Sequence, residues 1–186
     1  DGSSQREEAS EMGHSEKSAL NSLGGYSVRE EIANATTHGI AVLLSIAALV
    51  LLIVFSVREE AGALTVVSSV IFGASMIILY TVSTLYHAIP NLRAKRVLQV
   101  LDHCSIYFLI GGSYTPILLV AIRRNYPGWA WAIFGVVWGF AALATTFTAI
   151  DLKKYQKLSM ACYIGMGWCI AIAVRPTIAS LDLGGL

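Results

Sequence analysis

Five apolar runs, each long enough to cross a bilayer, dictate what this chain can become. A membrane-crossing helix needs roughly 17–25 predominantly apolar residues at 1.5 Å rise each. Such runs occupy residues 33–55, 61–87, 97–122, 129–150 and 158–174, with Pro90 and Pro176 placed to stop the second and fifth. They are far longer than the alternating ten-residue segments of an outer-membrane barrel, so the chain reads as all-α. Charge distribution agrees. Charged residues make up 13% of the 186, and seven of the 12 acidic ones precede residue 32. A soluble core of this length needs charges at every turn of its outer face, and soluble domains carry about 25% of them. A net charge of +1 offers no basic field for phosphates, which argues against nucleic acid as a partner. The sequence therefore predicts a multi-span helical bundle in a membrane, with membrane lipids as its surroundings.

The chain divides into two regions. Residues 1–28 are rich in Ser, Glu and Gly and read as a polar, disordered tail without the apolar core of a signal peptide. Residues 29–186 form the bundle. The closing stretch, 180–186, reads as the opening of another span, so the chain is expected to be truncated after its fifth span. Cys104, Cys162 and Cys169 show no CxxC spacing and are expected as buried apolar residues.

Orientation follows from Lys and Arg in the short loops. The tail and the 2–3 and 4–5 loops hold nine of the 13 basic residues, against four on the other side. This predicts a cytoplasmic N-terminus in a cell-membrane protein. Packing material is also visible. Gly135 and Gly139 form a GxxxG step, Gly165 and Gly167 offer close approach, and Trp129 and Trp131 suit an interfacial aromatic belt. Pro116 lies inside the third span, where it removes a hydrogen bond to Gly112 and should kink the helix.

Ionisable groups inside spans are expensive, so each is a functional candidate. His38 opens the first span, Ser83 and His87 close the second, and Asp102 and His103 sit one turn into the third. With the topology above, three separated segments bring these groups to one depth. Ser83 and His87 are four apart and share a helix face. Two readings stand for them: a hydroxyl bonded to its own helix beside an interfacial His, or a metal-bound imidazole with a hydroxyl near the reacting centre. Asp102 is either a helix-start residue reaching water, or an acid that orients a metal-bound water and takes its proton. His103 points about 100° away from Asp102 and is assigned to packing. Glu31, Asn34 and His38 are accessory candidates. A solvated Glu and an interfacial His explain them equally well.

These residues also match a known family. Glu30-Glu-Ile-Ala-Asn-Ala-Thr-Thr-His-Gly39, Ser83-Thr-Leu-Tyr-His-Ala-Ile-Pro90, Leu98-Gln-Val-Leu-Asp-His103 and Gly112-Ser-Tyr-Thr-Pro116 resemble the bacterial hemolysin III family. That family is grouped with the adiponectin and progestin receptors (PAQR) and, more remotely, with alkaline ceramidases. The resemblance implies seven helices with a cytoplasmic N-terminus, and a zinc ion near the cytoplasmic face held by three histidines. One ligand maps onto His87. The family's water-contacting aspartate maps onto Asp102, and its motif serine onto Ser83. The other two ligands belong to an H-x3-H motif that this sequence lacks. The resemblance thus implies a zinc-dependent hydrolase of lipid amides, or a receptor-like relative. Two alternatives are a channel-forming cytolysin, poorly supported because no helix carries a wide polar stripe, and a sensor with structural zinc.

Overall fold

The computed structural model describes residues 25–172, 174, 177 and 178. Its helices are α1 (Val28–Arg58), α2 (Ala63–Ala88), α3 (Leu92–Pro116), α4 (Pro127–Ile150) and α5 (Gln156–Ile172). A π-helical segment, Ile117–Ile122, and a short helical turn, Arg123–Asn125, prolong α3. Among the described residues, four helices are long and apolar enough to cross a membrane: α1, α2, α3 with its prolongation, and α4. The fifth predicted span appears as the 17 residues of α5. The expected disordered tail through residue 24, and the stretch 180–186, lie outside the described residues.

Local chemistry sets the helix limits. α1 begins five residues before the predicted 33, because Ser27 and Glu30 form a reciprocal cap. The Glu30 amide donates to Ser27 Oγ at 3.4 Å, and the Ser27 amide donates to Glu30 Oε2 at 2.7 Å. A gain of one helical turn therefore places Glu31 inside α1. Gly62 opens α2 at φ +85°, a left-handed conformation that a side chain resists. α2 stops where Ile89 turns extended ahead of Pro90, which crowds any helical residue before it. Asn91 then caps α3 by accepting from the Arg93 and Ala94 amides at 3.0 and 3.1 Å.

Each helix packs against its sequence neighbour, and α3 also touches α5. The tightest core lies between α3, α4 and α5, where Tyr107, Leu118, Val137, Ala144 and Met166 are buried. α1 is inverted relative to a soluble helix. Its buried residues are Ser45 and Ser56, whereas Leu43 and Leu44 stand 68% and 66% exposed. Aliphatic residues outside and hydroxyls inside suit a helix whose outer solvent is hydrocarbon. The Ser45 and Ser56 hydroxyls donate to their own helix carbonyls at Ala41 and Leu52, both at 2.7 Å.

Pro116 acts as expected in disturbing α3, but the helix widens rather than ends. A proline cannot supply the amide for the preceding turn, and the π-type segment that follows absorbs the mismatch. Close helix approach occurs elsewhere than the sequence suggested. A Cβ on Gly135, Gly139, Gly165 or Gly167 would meet nothing within 4 Å, so the GxxxG step makes no contact among the described residues. Gly112, Gly111 and Gly73 instead lie against Ser75, Trp138 and Leu49. Cys104, Cys162 and Cys169 are buried free thiols.

Candidate functional site

The capped start of α1, the end of α2 and the start of α3 meet at one end of the bundle. They deliver a chain of polar contacts. Glu31 bridges two cationic or protonatable groups: Oε2 lies 2.7 Å from His87 Nδ1, and Oε1 lies 2.6 Å from Lys95 Nζ. The side chains of His87 and Lys95 are each 6% exposed, and that of Glu31 is 19% exposed. The Lys95 ammonium also stands 5.0 Å from the centre of the Tyr86 ring, where the π-face attracts a cation. Two turns deeper on α1, His38 Nδ1 lies 2.7 Å from Ser83 Oγ. The His38 and His87 ring centres are 5.9 Å apart, and Tyr26 meets His87 edge-on at 5.3 Å.

This arrangement fixes part of the proton placement. An ionised carboxylate only accepts hydrogen bonds, so His87 must donate to Glu31 from Nδ1. A neutral ring then keeps Nε2 unprotonated and able to bind a proton or a metal. Ser83 can donate to His38 or accept from it, so that pair leaves the tautomer open.

Asp102 belongs to an adjoining cleft of about 550 Å³ between α3 and the start of α5. Gln99, His103, Lys153 and Tyr163 also line it, and Tyr26 and Tyr86 belong both to the cleft and to the surroundings of His87. His103, assigned to packing, reaches this cleft as well, with Nδ1 donating to the Gln99 carbonyl at 2.8 Å. Asn34 is half-buried on α1 and makes no side-chain hydrogen bond among the described residues.

The structure thus groups Glu31, His38, Ser83 and His87 directly, and sets Asp102 beside them on a shared aromatic wall. Ser83 partners His38 rather than the imidazole four residues along its own helix. Lys95 is the residue that sequence reasoning missed, being counted only as a loop charge. A signal was present: Lys95 and Asp102 are seven apart, which puts them on one face of α3.

The donor set for a zinc ion is incomplete here. A metal-bound imidazole almost always gives its other N–H to a carboxylate or carbonyl, as His87 does to Glu31. Yet no three His, Cys, Asp or Glu side chains gather to hold a metal among the described residues. His87 fits one corner of a zinc centre, and the described residues do not fit the whole.

Comparison with known proteins bears on this geometry. The "Haemolysin-III related" family pattern matches residues 26–185. The chain is similar to the hemolysin-3 homolog of Bacillus subtilis (strain 168), 43% identical over 160 residues, which cover 86% of this chain and 73% of the relative. It is also similar to hemolysin-3 of Bacillus cereus, 40% identical over 83% of this chain and 68% of the relative. Human monocyte to macrophage differentiation factor, from the wider PAQR group, is 27% identical over 84% of this chain and 67% of its own length. No solved structure matches. The matched region runs from the cap of α1 through every helix described above, and the chain belongs to the haemolysin-III related family.

Proposed function

We propose that the full-length protein is a membrane hydrolase of the haemolysin III and PAQR type, acting on a lipid amide at the cytoplasmic end of its bundle. The observation that carries this reading is the Glu31–His87 pair, a carboxylate-oriented imidazole buried beside an open cleft that holds Asp102. The zinc implied by the family resemblance is part of the proposal. His87 supplies one donor, and the others come from outside the described residues.

The residues themselves support a division of labour. Asp102 faces a cleft bordered by the apolar walls of Met160 and Leu152, a setting that suits a lipid acyl chain near a polar head. From there it takes a proton from the attacking water. Ser83, held by His38, donates a hydrogen bond toward the oxygen on which charge develops. Glu31 keeps His87 in one tautomer throughout.

The test is zinc content and turnover of the full-length protein in detergent, with N-acyl lipids as substrates. About one zinc per chain with amide cleavage supports the proposal. Zinc without cleavage of any lipid amide favours a sensor with structural metal. Unitary conductance steps in planar bilayers, without zinc, favour a pore.

A further inference from the structure

We infer that Lys95 is a positioning residue: by holding Glu31 Oε1, it fixes Oε2 on His87 Nδ1 and so keeps Nε2 as the unprotonated nitrogen of the imidazole. The inference deepens the proposed function and rests on its reading of His87 as the working imidazole. Nothing in the family resemblance above assigns a role to Lys95.

Three observations carry it. First, Lys95 is buried although it lies only four residues from the Asn91 cap of α3, where a lysine could reach water. An ordinary loop cation would snorkel outward. Second, the Glu31 carboxylate is divided between two partners on different helices, one oxygen to each. With Oε1 taken by the ammonium, rotation of the carboxylate about its own axis would break both contacts at once. Third, the Tyr86 ring backs the ammonium at 5.0 Å, and Tyr86 also packs on His87 with ring centres 4.7 Å apart. Lys95, Glu31, Tyr86 and His87 therefore close a ring of contacts drawn from three helices.

A purely structural tie predicts a different pattern. Replacing a buried ion pair by apolar groups is often neutral or stabilising, so strength alone does not explain such a bridge. Its directional content does. An acceptor held at one place selects one tautomer and one ring orientation.

The experiment reads the Nδ1–H proton of His87 by NMR in ¹⁵N-histidine-labelled full-length protein, assigned by its loss in His87→Gln. A strong hydrogen bond to a carboxylate moves that proton far downfield, whether or not Nε2 is occupied. The parent is expected to show one downfield Nδ1–H signal. Lys95→Met should shift it upfield or broaden it away, and Lys95→Arg should restore it, since a guanidinium still donates to Oε1. Glu31→Gln should lose the downfield signal with Lys95 intact. If Lys95→Met does not fold, Lys95→Gln replaces it, with an intermediate shift expected. A parent-like signal in the folded Met or Gln variant overturns the inference, as does failure of Lys95→Arg to restore it. A full-length protein with neither zinc nor amide turnover, but with this pattern of shifts, removes the proposed function and leaves the role of Lys95 standing.

Discussion

At the scale of single residues, the site depends on which partner each polar group finds. Glu31 has one cationic partner, Lys95, and one imidazole partner, His87, whereas Ser83 is committed to His38. These pairings separate the expected effects of three substitutions in the full-length protein. His87→Ala should reduce zinc to background, because the proposed centre would lose one of the three imidazoles that the family resemblance implies. Asp102→Asn should keep zinc and lower amide turnover by about 10²–10⁴-fold, since the amide cannot accept the proton. Ser83→Ala should keep zinc and lower turnover by about 10–100-fold, through the loss of a donor and of the partner that orients His38. Zinc per chain measured beside turnover checks all three, and undiminished zinc in His87→Ala would reject the ligand assignment. The site was partly legible in the sequence. His38, Ser83, His87 and Asp102 stood out because an ionisable or hydroxylated residue in an apolar run is conspicuous, and Glu31 stood out as part of the helix entry just before the first run. Lys95 did not, because a lysine between Arg93 and Arg96 resembles its solvated neighbours. Only the chain's return to Glu31, 64 residues away in sequence, distinguishes it.

At the scale of helices, side-chain volume decides where elements come close. Gly112 faces Ser75 with no room for another carbon, whereas Gly135 faces open space. Gly112→Ala should therefore destabilise the bundle by about 1–3 kcal/mol through overpacking. Adding Ser75→Gly should return most of the loss, since the two substitutions exchange space across one contact. Gly135→Ala should be neutral or slightly stabilising, because alanine is the better helix former. Thermal unfolding in detergent, followed by circular dichroism, compares the three. Equal losses for Gly112→Ala and Gly135→Ala would contradict the packing described. Spacing alone identified the wrong glycines, because GxxxG marks a small face without saying whether a partner meets it. The helices themselves were legible to within a few residues, apart from α1 and α3. Both start early, owing to caps at Ser27 and Asn91 that lie outside the apolar runs.

For the molecule as a whole, the long apolar runs made the membrane bundle readable before any coordinates, and the exposed aliphatic surface of α1 agrees with it. The sidedness of that bundle rests on loop charge. Positive-inside counting puts Gly62 outside and Asn91 in the cytoplasm, on opposite ends of α2. A cysteine introduced at Gly62 should react with an impermeant thiol reagent in intact cells, and one at Asn91 only after lysis. The three native thiols are buried and give little background. The reverse labelling pattern would place the polar cluster outside and remove the cytoplasmic site.

The bridge from Glu31 to Lys95 also constrains how the protein is made. Helices leave the ribosome in order, and the acid is synthesised 64 residues before the base that neutralises it. At about 5–20 residues per second, α1 waits roughly 3–13 s with its carboxylate uncompensated. During that interval the amino end of α1 is better hydrated than buried, and it can settle to its final depth only once α3 has emerged. Stalling translation between the two residues should therefore trap a shallow first helix, a biosynthetic intermediate that the finished bundle no longer reveals.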